Sequence, residues 1–143
     1  REIIDLGCGN GLLGVVAAQQ NPEARLHFVD ESYMAIASAQ TNFQQLDGDP
    51  QRAEFHLGNG LATFHKNAAD LVLCNPPFHQ SHAMGDTVAM SMFRGSARVL
   101  RAGGELWVVG NRHLGYHASL KRYFDAVELV ASNRKFVVLK CGK

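Results

Sequence analysis

The chain has 143 residues, 46% of them hydrophobic, and a formal net charge of +1. That is chain enough for one domain, residues 1–143, with a real core, and too even a charge for a global basic field that would announce nucleic acid by itself. Cys8, Cys74 and Cys141 are scattered, with no CxxC and no metal-ligand spacing, so they read as reduced thiols of a cytosolic protein, and no metal is expected. No apolar run approaches the roughly 20 residues needed to span a bilayer, and no signal peptide is visible. The chain opens without Met, directly on strand-like residues Arg1-Glu2-Ile3-Ile4, so we expect a domain excised from a longer protein.

Ile3-Ile4-Asp5-Leu6 reads as a short strand, Gly7-Cys8-Gly9-Asn10-Gly11 as a glycine loop, and Leu12 onward as a helix. Strand, glycine loop and helix together make a nucleotide-binding unit, because glycines let the backbone approach a ligand and the helix start offers free N–H groups. The dinucleotide pattern G-x-G-x-x-G is missed by one place: its third glycine is Gly11, and Leu12 stands where it should be. Asp5 is more telling. A carboxylate before the loop repels a pyrophosphate but attracts a cation or bonds an amino group, which favours S-adenosylmethionine over NAD. The alternative is that Asp5 only braces the loop, and both roles are compatible.

Asn21-Pro22 ends the helix, and Leu26-His27-Phe28-Val29 forms a second strand closed by Asp30. An acid about 20 positions past the glycines binds ribose hydroxyls in nucleotide folds. The competing role is helix capping by Asp30 or Ser32. A helix over Tyr33–Leu46 follows, with Ile36, Ala39, Phe43 and Leu46 as its core stripe. Asp47-Gly48-Asp49-Pro50 is a turn, and Ala53 to Leu57 a third strand. Asn59, between Gly58 and Gly60, is either a turn residue or an amide for an adenine edge.

Leu71-Val72-Leu73-Cys74 reads as a fourth, buried strand, and Asn75-Pro76-Pro77-Phe78 stops it, since proline lacks the N–H and fixes φ. Ligands of open α/β sheets sit at that end of the strands. Asn75 and the turn carbonyls offer acceptors, and Phe78 a flat apolar face, which suits a planar group carrying an NH2. His79 to Gly85 is expected to be a polar loop able to close over a substrate, with His79 and His82 as loop polar groups rather than metal ligands. Thr87 to Leu100 is a helix broken by Ala102-Gly103-Gly104, and Glu105 to Val109 a fifth strand. A helix over Tyr116–Phe124 and a closing hairpin, Val127–Ala131 with Lys135–Lys140, complete the chain. Arg112, Lys121, Arg122, Arg134 and Lys135 form a candidate basic rim, or ordinary solvated surface.

Asp5-Leu6-Gly7-Cys8-Gly9-Asn10-Gly11 resembles the first motif of class I S-adenosylmethionine-dependent methyltransferases. Asn75-Pro76-Pro77-Phe78 resembles the fourth motif of those that methylate exocyclic or amide nitrogens. His79, Asn111-Arg112-His113-Leu114 and Lys135-Phe136-Val137-Val138 are similar to pieces of the ribosomal RNA guanine-N(2) methyltransferases, with the large-subunit branch the nearer. The resemblance covers essentially the whole chain. It implies a Rossmann-like α/β fold: a seven-stranded, mostly parallel sheet with an antiparallel last strand and helices on both faces. It implies S-adenosylmethionine as methyl donor, S-adenosylhomocysteine as product, and ribosomal RNA (23S) as substrate, held with the help of a preceding N-terminal domain. Carried onto this chain, it puts catalysis at Asn75, Pro76, Pro77 and Phe78. It puts cofactor binding at Asp5, Gly7, Cys8, Gly9, Asp30, Asn59 and Asn75, with no metal. Asn59 departs from the commoner pattern, where the residue is acidic. Adenine N6 or protein glutamine as acceptor, a non-catalytic S-adenosylmethionine-binding module, and more remotely a dehydrogenase are the competing readings.

Overall fold

Short apolar runs rich in Ile, Val, Leu and Phe build the sheet, and the turns between them decide its order. The computed structural model describes residues 1–77 and 82–143, with side chains for residues 1–77 and 87–143. Strands β1 (Glu2–Leu6), β2 (Arg25–Asp30), β3 (Ala53–Leu57), β4 (Ala69–Cys74), β5 (Leu100–Asn111), β6 (Ala126–Ser132) and β7 (Phe136–Gly142) form one sheet in the order β3-β2-β1-β4-β5-β7-β6. Strands β1 to β5 pair in parallel, and β7 runs antiparallel to both β5 and β6. This is the expected mostly parallel sheet with an antiparallel last strand.

Helices α1 (Leu12–Gln20) and α2 (Tyr33–Leu46) cover one face, where Val15, Ala18, Ala39 and Phe43 pack on Ile3, Leu26 and Phe28. Helices α3 (His82–Val99) and α4 (Tyr116–Leu120) cover the other, where Phe93, Tyr116 and Leu120 pack on Val72, Leu106 and Val108. Period-two alternation along each strand feeds both layers, so the central strands are buried on both sides. Arg52 ties the first layer together: its guanidinium donates to the carbonyls of Ala18, Asn21 and Ala24 and pairs with Asp47 at 2.7 Å.

Several boundaries differ from the sequence reading, three of them in kind. Ala102-Gly103-Gly104 is not a helix stop. Helix α3 already ends at Val99, and these residues form an irregularity inside β5, with Gly103 at φ 86 and an ion pair of 2.6 Å from Arg101 to Asp70. The backbone of α3 is helical from His82, so the polar loop expected over His79 to Gly85 is at most its first part; residues 78–81 lie outside the described residues. The last helix closes at Leu120 and gives way to turns that end on Phe124 N–H donating to Leu120 O.

Cys8, Cys74 and Cys141 are free and buried. Burial pushes the Cys8 and Cys141 thiols up to about 12 and raises Cys74 as well. Among the described residues no helix is long and apolar enough to cross a membrane.

Candidate active site

The site grows from the junction of β1 and β4. These strands are parallel neighbours with Leu6 opposite Cys74, so the loops that follow them emerge side by side. From β1 the sheet extends one way through β2 and β3 and the other way through β4 and β5. That is the switch point at which open α/β sheets leave a crevice.

The glycine loop is fastened at both ends. Gly7 and Cys8 N–H groups both donate to Val29 O, at 2.8 and 3.0 Å. Gly7, Gly9 and Gly11 take φ values of 67, 55 and 80, a left-handed run that residues with a Cβ adopt at a cost. A Cβ on Gly9 would meet nothing, so the loop there faces open space. Gly9 N–H donates to Asp30 Oδ2 at 3.0 Å, and Ser32 N–H to Asp30 Oδ1 at 2.9 Å. Ser32 itself caps α2 by accepting from Ala35 N–H, so the capping role considered for Asp30 falls to its neighbour. The Asp30 carbonyl accepts from Gly58 N–H at 3.0 Å and so brings the loop bearing the exposed Asn59 to the same edge.

Asp5 lies beneath the loop and is buried. Its Oδ2 accepts from Gly14 N–H at 2.9 Å, which is the bracing role. Burial pushes this carboxyl up to about 7; the Gly14 bond opposes the rise and the Asp30 charge adds to it. Gly14 was not singled out from sequence. A Cβ there would run into the Phe28 ring and lie 2.9 Å from Asp5 Oδ2. The close helix–strand approach that the third glycine of a nucleotide loop usually permits is therefore made at Gly14, inside α1. The signal was present: a glycine inside a helical pattern usually has a packing reason.

On the β4 side, Asn75 is exposed, Pro76 buried and Pro77 half-buried. A Cβ on Gly7 would lie 3.7 Å from Asn75 O and 3.0 Å from Met92 Cε. The Asn75 backbone thus stands against the glycine loop, with Met92 of α3 closing the corner. Phe78 and His79, and the side chain of His82, lie outside the described residues. Asp5, Gly7, Cys8, Gly9, Asp30, Asn59, Asn75, Pro76 and Pro77 all sit at or just below one edge.

The basic residues divide. Arg112, Arg134 and Lys135 lie where β5 ends, because Asn111 pairs with Phe136 and Arg112 N–H donates to Lys135 O. Asn133 Oδ1 closes this hairpin by accepting from Lys135 and Phe136 N–H groups. Lys121 and Arg122 fall between α4 and the start of β6, at the opposite edge.

A family model described as methyltransferase small domain matches residues 1–140. The chain belongs to the methyltransferase small domain family. Relatives of this small-domain chain include ribosomal RNA large subunit methyltransferase G of Serratia proteamaculans, 54% identical over 142 residues, or 99% of this chain and 38% of that protein. The protein of the same name from Pseudomonas aeruginosa (strain UCBPP-PA14) is 57% identical over 139 residues, 97% of this chain and 37% of the relative. The small domain thus spans well under half the length of these curated relatives. Among solved structures, the T. thermophilus 16S rRNA N2 G1207 methyltransferase (RsmC), in complex with AdoMet and guanosine, superposes with a TM-score of 0.80 at 25% identity, over 100% of this chain and 37% of that one. The geranyl diphosphate C-methyltransferase of Streptomyces coelicolor A3(2) shares the fold alone, at 13% identity and a TM-score of 0.70 over 98% of this chain and 68% of that one.

Proposed function

We propose that this chain is the methyl-transferring domain of a cytoplasmic enzyme that methylates the exocyclic N2 amine of a guanine in 23S ribosomal RNA. On this reading it is one of two domains, and the other helps hold the RNA. One observation carries the proposal: the Asn75-Pro76-Pro77 turn leaves its strand directly against a left-handed glycine loop at the switch point. The names of the large-subunit relatives support the substrate, and the RsmC complex with AdoMet and guanosine supports the ligand pair.

The residues present suit S-adenosylmethionine. The loop offers open backbone at Gly9, and two carboxylates, Asp5 and Asp30, stand under it, so a cation is favoured and a pyrophosphate is not. Gly7, Cys8 and Gly9 would hold the cofactor with their backbone, Asp30 its ribose, and Asn59 its adenine. The bound sulfonium supplies a methyl group already activated, with a neutral thioether as leaving group. The chain's own residues handle the acceptor. The guanine amine is a poor nucleophile because its lone pair is delocalised into the ring. Asn75 Oδ1 and the Pro76 carbonyl accept its two N–H bonds and draw the nitrogen toward tetrahedral geometry. Positive charge develops on that nitrogen as the new bond forms, so both hydrogen bonds strengthen in the transition state. No strong base is needed before attack, since the amine becomes more acidic as it reacts; once the N–C bond has formed and the C–S bond has broken, its surplus proton passes to water. The family resemblance assigns to Phe78, outside the described residues, a stacking contact with the base of about 1–3 kcal/mol, as in single-strand binders. The base must leave its helix first, so the target is splayed or single-stranded.

Mass-labelled methyl transfer into ribosomal RNA, with nucleoside analysis, tests the reading; label on adenine N6 or on protein glutamine would replace the acceptor. Asn75 is exposed beyond a buried strand, so Asn75→Ala leaves the core untouched. Its expected effect is a rate lower by about 10²–10³ with the cofactor still bound, by calorimetry, through the glycine loop and Asp30. Full activity in that variant would remove Asn75 from the mechanism.

A further inference from the structure

The connection from β3 to β4, residues 58–68, contains no helix, so Leu61 and Phe64 are the apolar side chains that cover this end of the second face. Beneath them is a cavity of about 260 Å3, lined by Glu2, His27, His56, Phe64 and His65 among others. Strand pairing makes the cluster. His27 is opposite Ile4 on β1 and Glu54 on β3, and Val29 is opposite His56. The period-two alternation then turns Glu2, His27, Glu54 and His56 to the same face.

His27 Nδ1 lies 3.3 Å from His56 Nε2 and 3.7 Å from Glu54 Oε2, and these three atoms are all within 4.8 Å of one another. A tetrahedral zinc with bonds of roughly 2.0–2.1 Å holds its donors about 3.3–3.4 Å apart. On its far side, His27 Nε2 is 2.9 Å from Glu2 Oε1. In the neutral ring facing an ionised carboxylate, Nε2 carries the proton and Nδ1 presents a lone pair toward His56 and Glu54. A carboxylate behind an imidazole, fixing its tautomer, is the usual support of a metal-ligating histidine. A hydrogen bond between the two rings accounts for their spacing. Strand register brings the Glu54 oxygen to 3.7 Å from the same nitrogen, which adds a third donor there. Arg25 Nε, 2.9 Å from Glu54 Oε2, is its present counter-charge, and that guanidinium is half exposed and free to yield.

We propose that His27 Nδ1, His56 Nε2 and Glu54 Oε2 bind one divalent transition-metal ion, zinc foremost, with a further position open to water. The ion would clamp β3, an edge strand of the sheet, to β2. Sequence spacing pointed to no metal because the three ligands come from two strands and meet only through their register.

Cobalt(II) titration of the chelator-stripped full-length protein tests this. The expected result is one equivalent bound, with a visible ligand-field band that zinc abolishes, and a higher Tm with zinc. His56→Gln keeps an N–H for His27 but removes the imidazole, and is expected to weaken binding at least 100-fold. Glu2→Gln, behind the ligand, is expected to weaken it about 10–100-fold, with the metal-free Tm of both variants near that of the parent. Binding below one equivalent, or binding that survives His56→Gln, would overturn the proposal.

Discussion

Asp5 is a brace of the fold and, on the proposed function, a partner of the ligand as well. It is buried, it holds Gly14 N–H, and burial pushes it up to about 7 from an ordinary 3.8. Between those values the folded chain keeps a proton that the unfolded chain has lost. This residue's contribution to stability is therefore fully present below about pH 4 and is lost as the pH rises through 7. A cation above the loop works in the opposite direction, since it favours the ionised carboxylate. We expect S-adenosylmethionine binding to release a proton near pH 6.5 and to tighten between pH 6 and 8, measured by calorimetry in buffers of different ionisation enthalpy. Asp5→Asn keeps an acceptor for Gly14 and should flatten that pH dependence; an unchanged slope would leave Asp5 as a brace alone. Asp30 and Asn75 could be located from sequence because one ends and the other borders a strand, where an apolar run stops, and Asp5 because it is a lone carboxylate among apolar residues just before the glycines. Gly14 could not, because its neighbours Phe28 and Asp5 come from other strands.

At the scale of elements, helix α1 rides unusually near β1 and β2, and Gly14 is the point of contact. Gly14→Ala should therefore lower stability by about 1–3 kcal/mol, as overpacking does, despite alanine's better helix propensity. Urea denaturation would show it as a lower midpoint, and an unmoved midpoint would mean that α1 slides outward without cost. Strands β1 to β4 could be read from their residues because turn-forming pairs bound each apolar run. The start of β5 could not. Ala102-Gly103-Gly104 has the composition of a break, and the Asp70–Arg101 ion pair, the pairing of Ala69 with Leu100 and the backbone bonds of Lys143 to Gly103 and Gly104 hold it in the sheet. Local pattern carries no information about such cross-strand contacts. The hairpin was legible in kind and shifted in length, since Asn133 fixes its turn through two backbone bonds.

For the molecule as a whole, the near-zero net charge concentrates any RNA contact into local patches. Arg112, Arg134 and Lys135 share the edge of the candidate site, whereas Lys121 and Arg122 do not. Arg134→Ala with Lys135→Ala should reduce the slope of log affinity against log salt by about 0.7–0.9 per lost phosphate contact, measured by filter binding to a ribosomal RNA fragment. Lys121→Ala with Arg122→Ala should leave it unchanged, and the reverse pattern would place the RNA on the other edge. The sheet order carries one more implication. Strand β7 lies between β5 and β6 although it follows both in the chain. During synthesis on the ribosome, β6 is thus made before the strand that will join it to the rest. Until residues 136–142 arrive, β5 offers a bare margin to any passing strand. The nascent protein is most open to mispairing in that interval, and the short Asn133 turn, by folding β7 straight back onto β6, keeps the interval brief.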